Sequence, residues 1–448
     1  MTNLFGRHAI VVGAGIGGLT AAKALSSYFA NVTVLERDAL PTTPIMRAGT
    51  PQARQIHVLL RGGLDALREF FPDFETELEL AGAVRVRVGS ESLLEMPGFD
   101  PFPRRDLGFD YLCMTRPLVE FVARRFVERQ GNIALRSRCR VTQFLESSDR
   151  NAVTAVRYDE ADERSNELAA DFVVDASSRG ALTLEFLDRV GLLRPQETEI
   201  GIDLRYATAM FEIPPPAPSD WRAVLHRPAT ESGRGGLLIP VENNCWQVNL
   251  TAMHGQLVPE SVGDFVAFAK KLRTQTIHDA IKDAVPIGPI HRFAFPGSIW
   301  RHFERLDRFP DHLLPLGDVI CRFNPAFGQG MSVAAQEVSV LKRLIEARAL
   351  DAEPLKGLAQ SYFAAIEDFL AAPWAVTESD FIYEKTRGQR PHDFHQRLKS
   401  NLALQRVASE DATVHQIMSE VTHLVKRSSA LRDPQIVSRV TALMSASD

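Results

Sequence analysis

Residues 8–36 decide the fold: His8-Ala-Ile-Val-Val-Gly13-Ala-Gly15-Ile-Gly-Gly18-Leu opens the stretch and Val32-Thr-Val-Leu-Glu36 closes it. A short β-branched run, Ile10 to Val12, stops at Gly13. Gly13, Gly15 and Gly18 then open a small-residue segment with Ala21, Ala22 and Ala24, which reads as a helix. A second apolar run ends in Glu36, the eighteenth residue after Gly18. Strand, tight turn, helix, strand and acid follow in the order a dinucleotide requires. Gly13 makes the turn, Gly15 lets the backbone approach a pyrophosphate, and Gly18 lets helix and strand pack closely. The helix N-terminus faces the phosphates, and Glu36 can accept from ribose hydroxyls. Glycine-rich turns often serve chain reversal alone, but both strands and the acid stand in register here, which favours the dinucleotide.

Working outward, the 448 residues suffice for two or three packed units. Hydrophobic residues at 45% and charged residues at 24% are the profile of an ordinary globular protein. A net charge of −5 gives no reason to expect nucleic acid or an anionic membrane as partner. Cys113, Cys139, Cys245 and Cys321 are scattered and form no CxxC, so neither a metal site nor a disulfide framework is expected. Met1 leads almost directly into the first strand, and no uninterrupted apolar stretch of about 18 residues occurs. A cytoplasmic protein without a membrane span is the expectation.

After Glu36 a Pro- and Thr-bearing loop leads to Gly49-Thr-Pro-Gln-Ala-Arg-Gln-Ile-His57, and the spacing from there to Phe71 predicts a helix. Thr115 is positioned to cap a helix with Pro117 in its first turn. Residues 133–145 and 153–158 read as strands of a meander, and 171–180 as a strand that rejoins the first sheet and runs into a polar turn. Strands are also predicted at 204–213, 221–226, 236–241 and 245–251, the last two as a hairpin. In the last strand Trp246, Val248 and Leu250 share one face, and Gln247, Asn249 and Thr251 the other. Such a sheet either covers a pocket with its polar face or turns that face to solvent. Residues 354–446 are helical in texture, broken at Pro373, Pro391 and Pro434.

A second chemical signal is Gly317-Asp318, ending a strand, followed by Gly328-Gln-Gly330 at a helix start. A carboxylate there can bond a ribityl chain, and the glycine loop offers N–H groups and a helix dipole to a group that becomes anionic on reduction, such as a flavin ring. Alone, the pair would read as a cap and a turn; beside the N-terminal motif it reads as a flavin site.

The chain resembles the FAD-dependent monooxygenases of the aromatic-hydroxylase type, in the branch that includes bacterial polyether epoxidases. The resemblance runs nearly the full length. It rests on VVGAGIGGLTAAKAL with Glu36-Arg37, GTPQARQIHVLLRGGLDAL, TRPLVEF, DFVVDASSRG and LPLGDVICRFNPAFGQGMSVAA. It implies an α/β fold: a Rossmann-like FAD-binding domain of glutathione-reductase type, an inserted mixed β-sheet substrate domain, and a helical C-terminal region. The implied division is 1–200 for the first part of the FAD domain (with a substrate-side insert at about 80–115), 201–300 for the substrate sheet, 301–350 for the return of the FAD domain, and 351–448 for the helical region. By resemblance, Gly13, Gly15, Gly18, Glu36 and Arg37 bind the ADP half of FAD, Arg116 reaches the pyrophosphate or ribityl region, and Val141 offers its backbone to adenine. Asp318 holds the ribityl chain, while Gly328, Gly330 and Met331 line the flavin ring. Arg54 and His57 fall on a loop beside the isoalloxazine, although His57 also reads as a capping or core histidine and Arg54 as a surface arginine.

The implied chemistry is transfer of one oxygen atom from O2, through a flavin C4a-hydroperoxide, to a small organic substrate by hydroxylation or epoxidation. No catalytic side chain is assigned, because the cofactor carries the reaction. The aromatic hydroxylases carry an Asp-Gly pair after the return strand; here Asp175-Ala-Ser-Ser-Arg179-Gly180 stands instead, and no second GxGxxG occurs. The electron source is therefore NADPH, NADH or a separate flavin reductase. Without a WxWxIP segment, halogenation is a minor reading. Two other readings share the architecture: a flavin-dependent reductase of isoprenoid double bonds, and a flavin-less chaperone like the GDP-dissociation inhibitors.

Overall fold

The computed structural model describes residues 4–446. Met1, on which the expectation about a leader segment rests, lies outside them. The N-terminal unit forms as its sequence dictates: strand β1 (Gly6–Val12), helix α1 (Ile16–Leu25) and strand β2 (Phe29–Glu36). Ile10, Val11 and Val34 are wholly buried, and the alanines of α1 keep that helix close to the sheet. The return strand Phe172–Asp175 pairs parallel with β1, and Leu313–Pro315 pairs parallel with the return strand. Five parallel strands result, in the order Leu313–Pro315, Phe172–Asp175, β1, β2, Ile133–Ser137. The FAD-binding α/β class anticipated from the sequence is thus present, with its helical C-terminal region.

Several local expectations are corrected. Ile133–Ser137 is not part of a meander but the edge of the parallel sheet beside β2; the meander is Arg140–Glu146, Val153–Asp159 and Ser165–Ala169. The helix expected from His57 begins at Arg61, because Val58 and Leu59 pair with Cys113 and Leu112. Thr115 precedes the helix Arg116–Glu128, but its hydroxyl donates to Glu242 instead of capping the helix. Pro373 does not break its helix, which runs from Leu358 to Glu378 with Tyr362, Phe363, Ile366, Leu370 and Trp374 in the core. That packing outweighs the backbone hydrogen bond a proline removes.

A second, eight-stranded sheet covers one side of the molecule. Its centre is Glu197–Glu212, flanked antiparallel by Cys245–Ala252 and by the sixteen-residue strand Pro286–Arg301, which the sequence did not single out. Arg234–Val241 and Cys245–Ala252 form the predicted hairpin. One face packs Phe211, Trp246, Val248 and Leu250 against the helices Val262–Ala269 and Thr276–Ile281. The other face carries Thr208, Gln247 and Asn249, all buried. The polar face is therefore largely shut from solvent, with Thr251 at its end partly exposed. It closes on the loop 54–58, where Thr208 Oγ1 donates to Gln55 Oε1 at 2.5 Å and Gln247 Nε2 to the Arg54 carbonyl at 3.2 Å.

Among the described residues no helix is long and apolar enough to cross a membrane, and no group of three or more His, Cys, Asp or Glu could hold a metal. The four cysteines are buried and unbonded.

Candidate functional site

The candidate site lies at the C-terminal ends of the parallel strands, where ligands bind in open α/β sheets. At the turn after β1, Gly13 has φ +102, a conformation other residues rarely adopt, and a Cβ there would also strike the Ala176 carbonyl. A Cβ on Gly18 would lie 2.0 Å from the Gly13 carbonyl oxygen, so helix and turn touch only because that side chain is missing. Gly15 differs: nothing lies within 4 Å of its Cβ position. The start of α1 thus faces open space, as a pyrophosphate cradle must.

Glu36 ends β2 buried. Its Oε2 accepts from the Ala14 N–H at 2.8 Å and its Oε1 from the Asp38 N–H at 3.0 Å. Arg47, which sequence reasoning passed over, lies 3.0 Å from Glu36 Oε2, 3.4 Å from Asp38 Oδ2 and 2.9 Å from Glu120 Oε2. The network continues: Arg116 Nε donates to Glu120 Oε1 at 2.8 Å, and Arg116 Nη1 lies 3.3 Å from His57 Nε2. Burial pushes the Glu120 carboxyl up, but Arg116 and Arg47 together outweigh it, and the carboxyl titrates below the usual range. Burial, reinforced by Arg116, pushes His57 down to about 3. His57 is therefore neutral, and its partners fix the tautomer: Nδ1–H donates to the Gln55 carbonyl at 2.9 Å and Nε2 accepts from Arg116. Arg37 Nη2 donates to the Gly49 carbonyl at 2.9 Å. Val141 lies buried at the start of the meander, after Cys139, whose N–H donates to the Glu36 carbonyl.

At the other end, Asp318 sits in a short turn after Leu313–Pro315, and its Oδ1 is 3.8 Å from where a Gly330 Cβ would stand. Its carboxylate makes no hydrogen bond among the described residues. Burial raises its pKa, against Arg116, Arg322 and Arg301, which draw it down. Gly328 has φ +68, and Gly330 opens the helix Gly330–Ala347, with Met331 partly buried in its first turn. Behind the turn, the Gly317 N–H donates to Glu337 Oε2 at 2.6 Å, as does Tyr362 Oη at 3.2 Å. Burial pushes Glu337 up to about 7. Its signal in the sequence was a lone acid in the apolar helical stripe Val333, Ala334, Val338 and Leu341.

Arg54 stands apart from the glycine loops. Its guanidinium is exposed, with Nη1 3.4 Å from His291 Nδ1 on the cover sheet. Open space at Gly15 and a carboxylate without a hydrogen bond at Asp318, both beyond the C-terminal ends of parallel strands, fit a flavin dinucleotide.

Fold and site together define a dinucleotide-binding flavoprotein. Residues 7–362 match the family model described as FAD binding domain, and the chain belongs to that family. It is 31% identical over 351 residues to Protein Rv3254 of Mycobacterium tuberculosis, across 76% of this chain and 73% of that relative. Among solved structures it is similar to the flavin-dependent brominase Bmp2, with a TM-score of 0.66, 13% identity, and 93% and 94% of the two chains covered. It is also similar to PqsL, a probable FAD-dependent monooxygenase from Pseudomonas aeruginosa, with a TM-score of 0.61, 16% identity, and 84% and 96% covered. These two likenesses concern the fold. The family resemblance read from the sequence is borne out, and the chain is a flavin oxidoreductase by family.

Proposed function

We propose that the protein is an FAD-dependent monooxygenase that inserts one oxygen atom from O2 into a small organic molecule, by hydroxylation or epoxidation. The observation that carries this reading is the buried part of the cover sheet's polar face, Thr208, Gln247 and Asn249, closed over the loop 54–58. A reaction that must exclude solvent from an activated oxygen needs such a lid. Bound FAD, once reduced by an external electron donor, would supply the electrons that activate O2 for transfer of one of its oxygen atoms. The chain's own residues bind and orient: Gly13, Gly15, Gly18, Glu36 and Arg37 hold the ADP half, Val141 the adenine, Arg116 the pyrophosphate or ribityl region, and Asp318 the ribityl chain. Gly328, Gly330 and Met331 line the ring, with neutral His57 beside it. Arg54, directed to His291, serves this reading less well than the others.

Asp318→Ala is expected to weaken flavin binding by about 1–3 kcal/mol, the usual cost of losing a buried hydrogen-bond partner. Titration of the flavin-free variant with FAD checks this, and unchanged affinity counts against the ribityl role.

The test of function is oxygen uptake by the reduced, FAD-loaded protein in the presence of candidate substrates. A product one oxygen atom heavier, formed with O2 consumption, supports the proposal. Loss of an alkene without O2 consumption would instead make the protein a double-bond reductase, and a purified protein unable to hold flavin would make it a chaperone. Anaerobic mixing with NADPH, and separately NADH, identifies the electron source: rapid bleaching means direct reduction, and persistent yellow colour a separate reductase.

A further inference from the structure

Asp380 lies on the short turn Ser379–Ile382 that ends the helix Leu358–Glu378, and only 3% of it is exposed. The turn is fastened on two sides. The helix before it packs Tyr362, Phe363 and Trp374 into the core, and beyond it Arg387 and Gly388 pair with Gly201 and Ile200 of the cover sheet's central strand. Thr386 Oγ1 closes the turn by donating to the Asp380 carbonyl at 2.7 Å. So held, the carboxyl group reaches a single hydrogen-bond partner: its Oδ2 accepts from Asn324 Nδ2 at 2.7 Å. Its other oxygen accepts no hydrogen bond among the described residues.

Asn324 passes this contact on. It is buried, and its Oδ1 accepts from the Ala326 N–H at 3.0 Å, which caps the turn Pro325–Phe327. The Gly328 N–H donates back to the Pro325 carbonyl at 3.0 Å, and Gly330 opens the next helix. Two side-chain hydrogen bonds therefore join Asp380 to the segment proposed to line the flavin ring. Three titratable groups stand near the carboxyl: Tyr206 from the central strand, Tyr383 from just past the turn, and Arg227 from just past the strand Ala223–His226. Burial keeps both phenols neutral. Arg227 favours the carboxylate but makes no ion pair with it, and burial prevails, pushing the Asp380 carboxyl up to about 7.

We infer that Asp380 is a positioning residue for the flavin, which fixes the loop 324–330 through Asn324 and takes up a proton when bound FAD is reduced. The inference rests on the proposed reading of that loop as the wall of the flavin ring. Reduction brings two electrons and one proton to the flavin, which becomes anionic. A second proton, from solvent, goes to Asp380, because the new negative charge disfavours its carboxylate. Below about pH 7 Asp380 already carries that proton before reduction and takes up nothing. Above it, Asp380 is ionised before reduction and protonated after.

The test is the reduction potential of the FAD-loaded protein from about pH 5.5 to about pH 9, across the range where a raised carboxyl titrates, by dithionite titration against an indicator dye. The wild-type potential is expected to fall in parallel with that of D380N below about pH 7 and more steeply above it. The difference is up to tenfold in the reduction equilibrium per pH unit, about 30 mV. D380N keeps an acceptor for Asn324 Nδ2 but cannot titrate, so it should hold FAD normally and show no break. D380A is expected to weaken FAD binding about tenfold, and to cause no further loss in N324A, which already lacks the same link. Identical slopes in wild type and D380N, or losses that multiply in the double variant, would overturn the inference. If D380A or N324A does not fold, the pH profiles of wild type and D380N decide. None of these measurements needs O2 or a substrate. A protein that holds FAD but transfers no oxygen therefore refutes the proposed function alone, and one that holds no FAD refutes both.

Discussion

Gly15→Val is expected to give a folded protein that retains no FAD. The two halves of that outcome have separate causes. Gly15 has φ −76 and ψ 176, an extended conformation that valine adopts readily, and no protein atom lies within 4 Å of its Cβ position. The substitution therefore costs the fold little. The same open space is where the pyrophosphate has to approach the start of α1, and two methyl groups would fill it. Gly18→Ala is the contrasting case. Its added carbon would sit 2.0 Å from the Gly13 carbonyl oxygen, so helix and strand must separate and the parallel sheet loses its anchor. Circular dichroism, thermal unfolding and the flavin-to-protein absorbance ratio distinguish the two variants. A yellow Gly15→Val protein with full flavin content would show that the cradle lies elsewhere, and an unfolded one would show that Gly15 is needed for the chain itself.

How much of this was legible in the sequence varies with the range of the interactions. The glycine turn, Glu36 and the Asp318 loop are local: each needs a backbone conformation or an approach that only certain residues permit, and spacing along the chain reveals it. The hairpin ending at Ala252 was legible for the same reason. Its polar face was readable as a face, but whether Gln247 and Asn249 meet water or the loop 54–58 depends on where a segment nearly two hundred residues away comes to rest. The strand Pro286–Arg301 was missed because its outer half carries little apolar alternation; most of its first residues are exposed. Pro373 misled because a local rule was applied to a helix held by tertiary packing. Arg47 was invisible for a stronger reason. It is one arginine in an irregular loop, and its three partners come from the end of β2, from Asp38 two residues beyond that strand, and from the helix Arg116–Glu128.

Arg47→Met follows from that cluster and is expected to destabilise the protein by about 3–5 kcal/mol, the cost of leaving buried carboxylates without their cation. Glu36, Asp38 and Glu120 converge on one guanidinium whose side chain is only 5% exposed. Glu120 retains Arg116 and Glu36 retains two backbone N–H groups, but three carboxylates are then left to share one arginine in place of two. What is lost is the link between the end of β2 and the helix Arg116–Glu128, and with it the fixed position of the acid facing the site. Because Glu120 titrates below its ordinary 4.5 in the folded protein, its stabilisation is complete above that pH and fades as pH falls below it. Denaturant unfolding at neutral pH measures the loss. Adding Glu120→Gln to Arg47→Met should recover part of it, since one of the uncompensated charges is then gone; the two changes are coupled and their effects should not add. Wild-type stability in Arg47→Met, or strictly additive effects in the double variant, would mean that the three carboxylates are satisfied without Arg47 and that the cluster does not hold Glu36 in place.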